Sequence, residues 1–197
     1  MDQRVAIIIT WLNHSGKSYI AKKIKEQYDQ YCILGTDPIH ELALKEFPDL
    51  YVKAKLKKWL WETSPMVDYE VSNLKHFYIK VMIQFVIANW FIPLLENCNS
   101  RKSYRQRHTE YLHNLGYKVL ILYINPWIEV IKERFKNWLL NHKNENLYHK
   151  WFDWNVERQQ WFYEPPEDTE WDYFIETDGN IEELFVKLNH IIHAKNT

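Results

Sequence analysis

The sequence predicts an α/β domain on a parallel sheet, and three observations carry that expectation. Apolar runs of strand length recur at Val5–Thr10, Tyr31–Leu34, Ile92–Glu96, Val119–Ile124 and Tyr173–Glu176. Segments with helical spacing separate them, the alternation that builds a five-stranded parallel sheet with helices on both faces. The runs VAIIIT and VLILYI are almost continuously apolar, as strands buried on both faces are.

Each element in between has its own signal. Over Ser18–Tyr28, Ile20, Ile24 and Tyr28 share one side of a helix while Lys22, Lys23 and Lys25 lie elsewhere. Gly35 ends the second strand. Residues 39–90 read as largely helical, punctuated by Pro48 and Ser64-Pro65, with about 47–90 forming a helical insertion. Ser103–Asn114 is a helix stopped by Gly116, and Pro126 opens another that runs to about Leu140. A polar stretch over 141–146 is followed by a helix over about 148–161. Ile181–Ala194 is the closing helix.

The 197 residues suit one domain, with 46% hydrophobic and 26% charged residues. Ten Trp, thirteen Tyr and nine Phe imply an aromatic core or a groove lined with flat faces. A net charge of −1 gives no global field for polyanions, so a nucleic-acid substrate needs a local basic patch. Cys32 and Cys98 are too few for a disulfide framework and match no zinc spacing. The opening MDQRVAIIIT is too short in apolar residues for a signal peptide, and Tyr78–Leu95 is broken by Lys80, Gln84, Asn89 and Pro93. No membrane span and a cytoplasmic location are expected.

Ligands of such sheets sit beyond the carboxyl ends of the strands. Immediately after the first strand comes Trp11-Leu-Asn-His-Ser-Gly-Lys-Ser18, which then opens a helix. This is the context of a phosphate loop, G-x-x-x-x-G-K-[ST], with Trp11 at the place of the first Gly. The backbone over Asn13, His14, Ser15, Gly16, Lys17 and Ser18 would wrap a nucleotide phosphate, aided by the positive helix end. Lys17 would reach the β/γ oxygens of ATP and Ser18 would hold Mg²⁺. Asp37, just past the second strand, reads either as a general base near the γ-phosphate or as an N-cap before Pro38. Glu96, ending the third strand, is a second candidate for Mg²⁺ or simply a solvated carboxylate.

At Leu94-Leu-Glu-Asn-Cys-Asn99 the chain resembles the kinase domain of polynucleotide kinases and their small P-loop relatives. In that family a strand ending in D-[NT]-T-N is followed by a helix bearing an Arg, then a Gly and the next strand. Glu96-Asn-Cys-Asn99 is similar, with Glu for Asp and Cys98 for Thr; Arg105 falls at the helix Arg, and His108 through Gly116 leads into the next strand. Phe162-Tyr-Glu-Pro-Pro-Glu-Asp-Thr-Glu-Trp-Asp172 resembles the F-E-P-P…E-G-F-D stretch, one residue shorter.

The resemblance implies a single P-loop kinase domain with a helical lid region over about 134–161, Asp37 as general base, and Glu96 and Arg105 on the substrate side. His40 stands where the family often places a basic residue that grips phosphate. The family's lid supplies an Arg to the transition state. Arg134 lies in that region and is assigned the role; the ungapped match puts Asn137 there, and Lys136, Lys143, Lys150 and Arg158 are further candidates.

The acceptor hydroxyl is read in more than one way. The resemblance and the cluster Arg101-Lys102, Arg105, Arg107-His108 favour the 5′-hydroxyl of a polynucleotide. A small-molecule kinase acting on a nucleoside, sugar or other metabolite, or on a modified base, is the alternative, with the Trp-rich middle as its pocket. A nucleotide-binding regulator or pseudo-kinase is the reading from another class, prompted by Trp11 and Glu96.

Overall fold

Six consecutive residues without a charged side chain leave Val5–Thr10 no face to offer water, and all six are buried in strand β1. In a computed structural model, which describes residues 4–12, 14–35, 65–97, 101–141, 163–176 and 181–193, β1 lies at the centre of the sheet. It is followed by helix α1 (Lys17–Gln27), strand β2 (Tyr31–Leu34), helix α2 (Pro65–Ala88) and strand β3 (Ile92–Glu96). Helix α3 (Lys102–Asn114), strand β4 (Lys118–Asn125), helix α4 (Ile128–Asn141), strand β5 (Tyr173–Glu176) and helix α5 (Ile181–His193) complete the described elements.

The strand order is β2-β3-β1-β4-β5, and every pairing is parallel. The α/β class and the parallel sheet are therefore as the sequence predicts. Side chains of β1 alternate between two cores. Ile7 and Ile9 pack with Ile20 and Ile24 of α1 and Leu184 and Leu188 of α5. Ala6 and Ile8 pack with Ile79, Ile83 and Val86 of α2 and Leu112 of α3. The sheet is thus covered by α1 and α5 on one side and by α2 and α3 on the other.

This order places a topological switch beside β1: the chain turns back through β2 and β3 on one flank and continues through β4 on the other. The carboxyl end of β1, between those of β3 and β4, is where a ligand crevice forms. Among the described residues no helix is long and apolar enough to cross a membrane.

Candidate nucleotide site

The turn from β1 into α1 takes a backbone path that ordinary residues avoid. Trp11 has φ 146°, His14 φ 62° and Gly16 φ 106°. The non-glycine residues among them carry strain of about 1–3 kcal/mol each, which persists only where surrounding packing fixes it. Trp11 is held edge-on by Tyr123 and Tyr163, with ring centroids 4.7 and 4.4 Å away. Thr10 Oγ1 and the Tyr163 hydroxyl share a buried hydrogen bond of 3.0 Å, tying the end of β1 to the same tyrosine. The His14 ring lies against Phe135 of α4 at 4.7 Å.

Gly16 caps α1 in a left-handed conformation, and Ile20 N–H donates to its carbonyl at 3.1 Å. A Cβ at this position would sit 3.2 Å from Arg134 Nη1. Gly16 therefore serves both the turn and the close passage of a guanidinium. Arg134 reaches from α4 across the loop and donates to the Ser15 carbonyl at 2.7 Å.

Lys17 is only 6% exposed; its Nζ folds back and donates to the Leu12 carbonyl at 2.6 Å. Ser15 is buried, and among the described residues its Oγ has no hydrogen-bond partner. A buried ammonium satisfied by a backbone carbonyl, beside an orphaned hydroxyl and a helix N-terminus, suits an anionic oxygen group. The imidazole of His14 adds no charge there: burial, and then the neighbouring Lys17, push it down to about 4. At neutral pH the loop's positive charge comes from Lys17 and Arg134.

Ser18 Oγ donates to Glu96 Oε1 at 2.9 Å, joining the start of α1 to the end of β3. Gly35, just after β2, lies beside the same carboxylate: a Cβ there would be 3.4 Å from the Glu96 carbonyl and 3.7 Å from Oε2. A hydroxyl and a carboxylate brought together beside the phosphate loop form a hard-oxygen donor set, and these residues fit Mg²⁺.

Arg105 is directed elsewhere than a substrate contact. It is fully buried and pairs with Glu170 Oε2 at 3.1 Å, while its Nη1 donates to the Glu164 carbonyl at 2.7 Å. Glu164 in turn accepts from the Lys102 N–H at 2.7 Å, and Lys102 Nζ pairs with Glu167 at 2.8 Å. The cluster 101–108 is thus no continuous basic track: Arg105 and His108 are buried, Lys102 is ion-paired, Arg101 lies over the Tyr104 ring and Arg107 is exposed. His108 instead shares a 3.1 Å contact between ring nitrogens with His76 of α2.

Of the expected site residues, the structure brings Ser15, Gly16, Lys17, Ser18, Glu96 and Arg134 together, with His14 flanking them. Asn13, Asp37 and His40 lie outside the described residues, as do Lys143, Lys150, Arg158 and most of the expected lid. Lys136 and Asn137 are exposed on α4. Tyr163, Phe135 and Glu170 carry no local motif of their own, and their roles come from contacts distant in sequence. Tyr163 and Glu170 lie within the stretch that resembles F-E-P-P…E-G-F-D, a signal that marks the segment but not its partners.

A central strand of a parallel sheet that runs through a Gly-Lys-Ser turn into a helix is the structural context of a phosphate loop. No protein-family model and no curated protein sequence matches the chain, but solved structures do. It is similar to the protein APE1195, with 18% identity over 99% of this chain and 98% of that one and a TM-score of 0.64. It is also similar to the APS kinase CysC of Mycobacterium tuberculosis, solved in complex with AMPPNP and APS, with 13% identity, coverage of 97% and 98%, and a TM-score of 0.60. A gluconokinase from Sinorhizobium meliloti 1021 matches with 14% identity, coverage of 99% and 100%, and a TM-score of 0.52.

Proposed function

We propose that this chain is an ATP- and Mg²⁺-dependent kinase that phosphorylates the hydroxyl of a small molecule. The observation that carries the reading is the turn at the end of β1. Lys17 is buried there with no carboxylate pairing it among the described residues, Ser15 Oγ is orphaned, and Ser18 is aligned with Glu96. Lys17 and the loop amides hold the β- and γ-phosphates, and Arg134 lies across the loop where charge develops during transfer. Ser18 and Glu96 hold Mg²⁺, which when bound neutralises phosphate charge. Asp37 is the proposed base. It takes the acceptor's proton as the hydroxyl oxygen bonds to the γ-phosphorus and the bond to the bridging oxygen breaks, releasing ADP.

The small-molecule acceptor is preferred over a polynucleotide 5′-hydroxyl for two reasons. Within the basic cluster expected to guide a nucleic acid, Arg105 and His108 are buried and Lys102 is ion-paired with Glu167, which leaves Arg101 and Arg107 to meet a polyanion. The similar structures with printed activities, an APS kinase and a gluconokinase, act on small acceptors.

Transfer of labelled phosphate from ATP across nucleosides, sugars, adenylyl sulfate and oligonucleotide 5′-hydroxyls is the test. Labelling confined to oligonucleotides would overturn the acceptor class, and bound ATP with no transfer anywhere would favour a regulator. Asp37→Asn should lower transfer by at least about 100-fold with ATP affinity kept; unchanged transfer removes Asp37 as the base.

A further inference from the structure

Helix α2 is apolar on two opposite faces, and the sheet covers one. Ile79, Ile83 and Val86 are buried against it, while Phe77, Val81 and Phe85 are 67%, 45% and 62% exposed. An apolar helix face of this size left open to water marks a surface for a partner. We propose that this outer face is a twofold interface with a second copy of this chain, formed by antiparallel pairing of α2 with itself.

The arrangement of the stripe argues for a copy of itself rather than another partner. Phe77, Val81 and Phe85 are spaced by four residues on either side of Val81, so the row reads the same in both directions. A twofold axis through Val81 sets Val81 against Val81 of the partner subunit, and Phe77 against Phe85 of the partner subunit. The small residue falls at the axis, where two helices approach most closely, and the large ones fall to either side. This is the self-complementarity that an isologous contact requires.

Charge agrees with the pairing. Of the exposed residues from Phe77 to Ala88, Gln84 is the polar one and none is charged. Lys80 is turned aside, its Nζ 5.1 Å from the Tyr111 ring of α3. No like charges would meet across the axis, and no acidic or basic partner is called for. Four aromatic rings at ~150–250 Å² apiece, about two thirds of each still exposed, supply roughly half of the ~1,000 Å² that a specific interface needs. Val81, Gln84, Ala88 and the flanks of the helix supply the remainder.

Sedimentation of the full chain over a concentration series tests the proposal, independently of whether the chain is a kinase. A monomer–dimer equilibrium is expected. Val81→Arg, an exposed position, should leave the melting temperature of the dilute monomer in place and weaken dimerisation by at least about 100-fold, because two guanidinium groups would meet at the axis. Geometry is tested by mild oxidation against an untreated wild-type background. Val81→Cys should cross-link to itself, and Phe77→Cys should cross-link to Phe85→Cys in a mixture but not to itself. A wild type that stays monomeric, a dimer indifferent to Val81→Arg, or self-linking of Phe77→Cys would each overturn the proposal.

Discussion

Lys17 and Arg105 are both buried cations, 6% and 0% exposed, yet their surroundings are opposite. Arg105 meets the Glu170 carboxylate and the Glu164 carbonyl, so its charge is neutralised inside the fold. Burial alone would raise the Glu170 carboxyl; the Glu167 N–H and the Arg105 guanidinium outweigh it and hold the group below the usual carboxylate range. Lys17 meets only the Leu12 carbonyl among the described residues. Desolvating a charge costs several kcal/mol unless a partner returns it. On the proposed function the buried cation without a counter-charge is the one that receives an anion, while the one with its counter-charge is a structural joint.

The largest effect should fall on the first of these. Lys17→Ala should abolish ATP-dependent thermal stabilisation and reduce transfer by at least about 1,000-fold, the scale of losing a group that stabilises charge in the transition state. Without nucleotide its melting temperature should hold or rise, because an uncompensated charge has been removed. A variant that still gains stability from ATP would break the contrast.

Arg105→Ala should show the reverse pattern. Removing one partner of a buried pair leaves the other stranded, at a cost of about 3–5 kcal/mol. The folded fraction should still bind ATP with unchanged affinity, read by calorimetry well below the melting point. Loss of ATP binding with stability intact would make Arg105 a ligand contact after all.

The two cations also mark what the sequence could reveal. Strands such as VAIIIT and the Gly-Lys-Ser turn were legible because each signal is local: an apolar run, or a motif between a strand and a helix. Arg105 was assigned to the substrate by resemblance, although Arg105, His108 and Leu112 recur at helical spacing on one face and Leu112 is plainly core. That periodicity was available and points inward. Its partner Glu170 lies 65 residues away, and no local rule connects the two. The same holds for Trp11: its departure from Gly was visible, while the aromatic cage that supports its backbone comes from Tyr123 and Tyr163.

A smaller effect is expected from pH. Burial comes first in lowering both His14, to about 4, and His108, to about 3; Lys17 adds to the first, and His76, Arg107 and Lys80 add to the second. Between the ordinary histidine value of 6.5 and those values the unfolded chain binds protons that the folded chain refuses. Stability should therefore fall as pH drops from about 6.5 towards 4. His108→Leu should flatten that decline in a series of thermal melts, and an unchanged slope would mean that His108 is not buried neutral.

The smallest effect separates two ways of holding the strained turn. Tyr163→Phe removes the hydroxyl that meets Thr10 but keeps the ring that packs on Trp11. Loss of one buried hydrogen bond should cost about 1 kcal/mol, or roughly 2–4 °C in a domain of this size. If ring packing alone fixes Trp11 at its positive φ, ATP affinity should change by less than about threefold, under 0.7 kcal/mol. Should affinity instead fall tenfold while stability barely moves, the hydrogen bond at the end of β1 sets the loop. The 163–170 segment that Arg105 anchors would then be coupled to the phosphate site through a single hydroxyl.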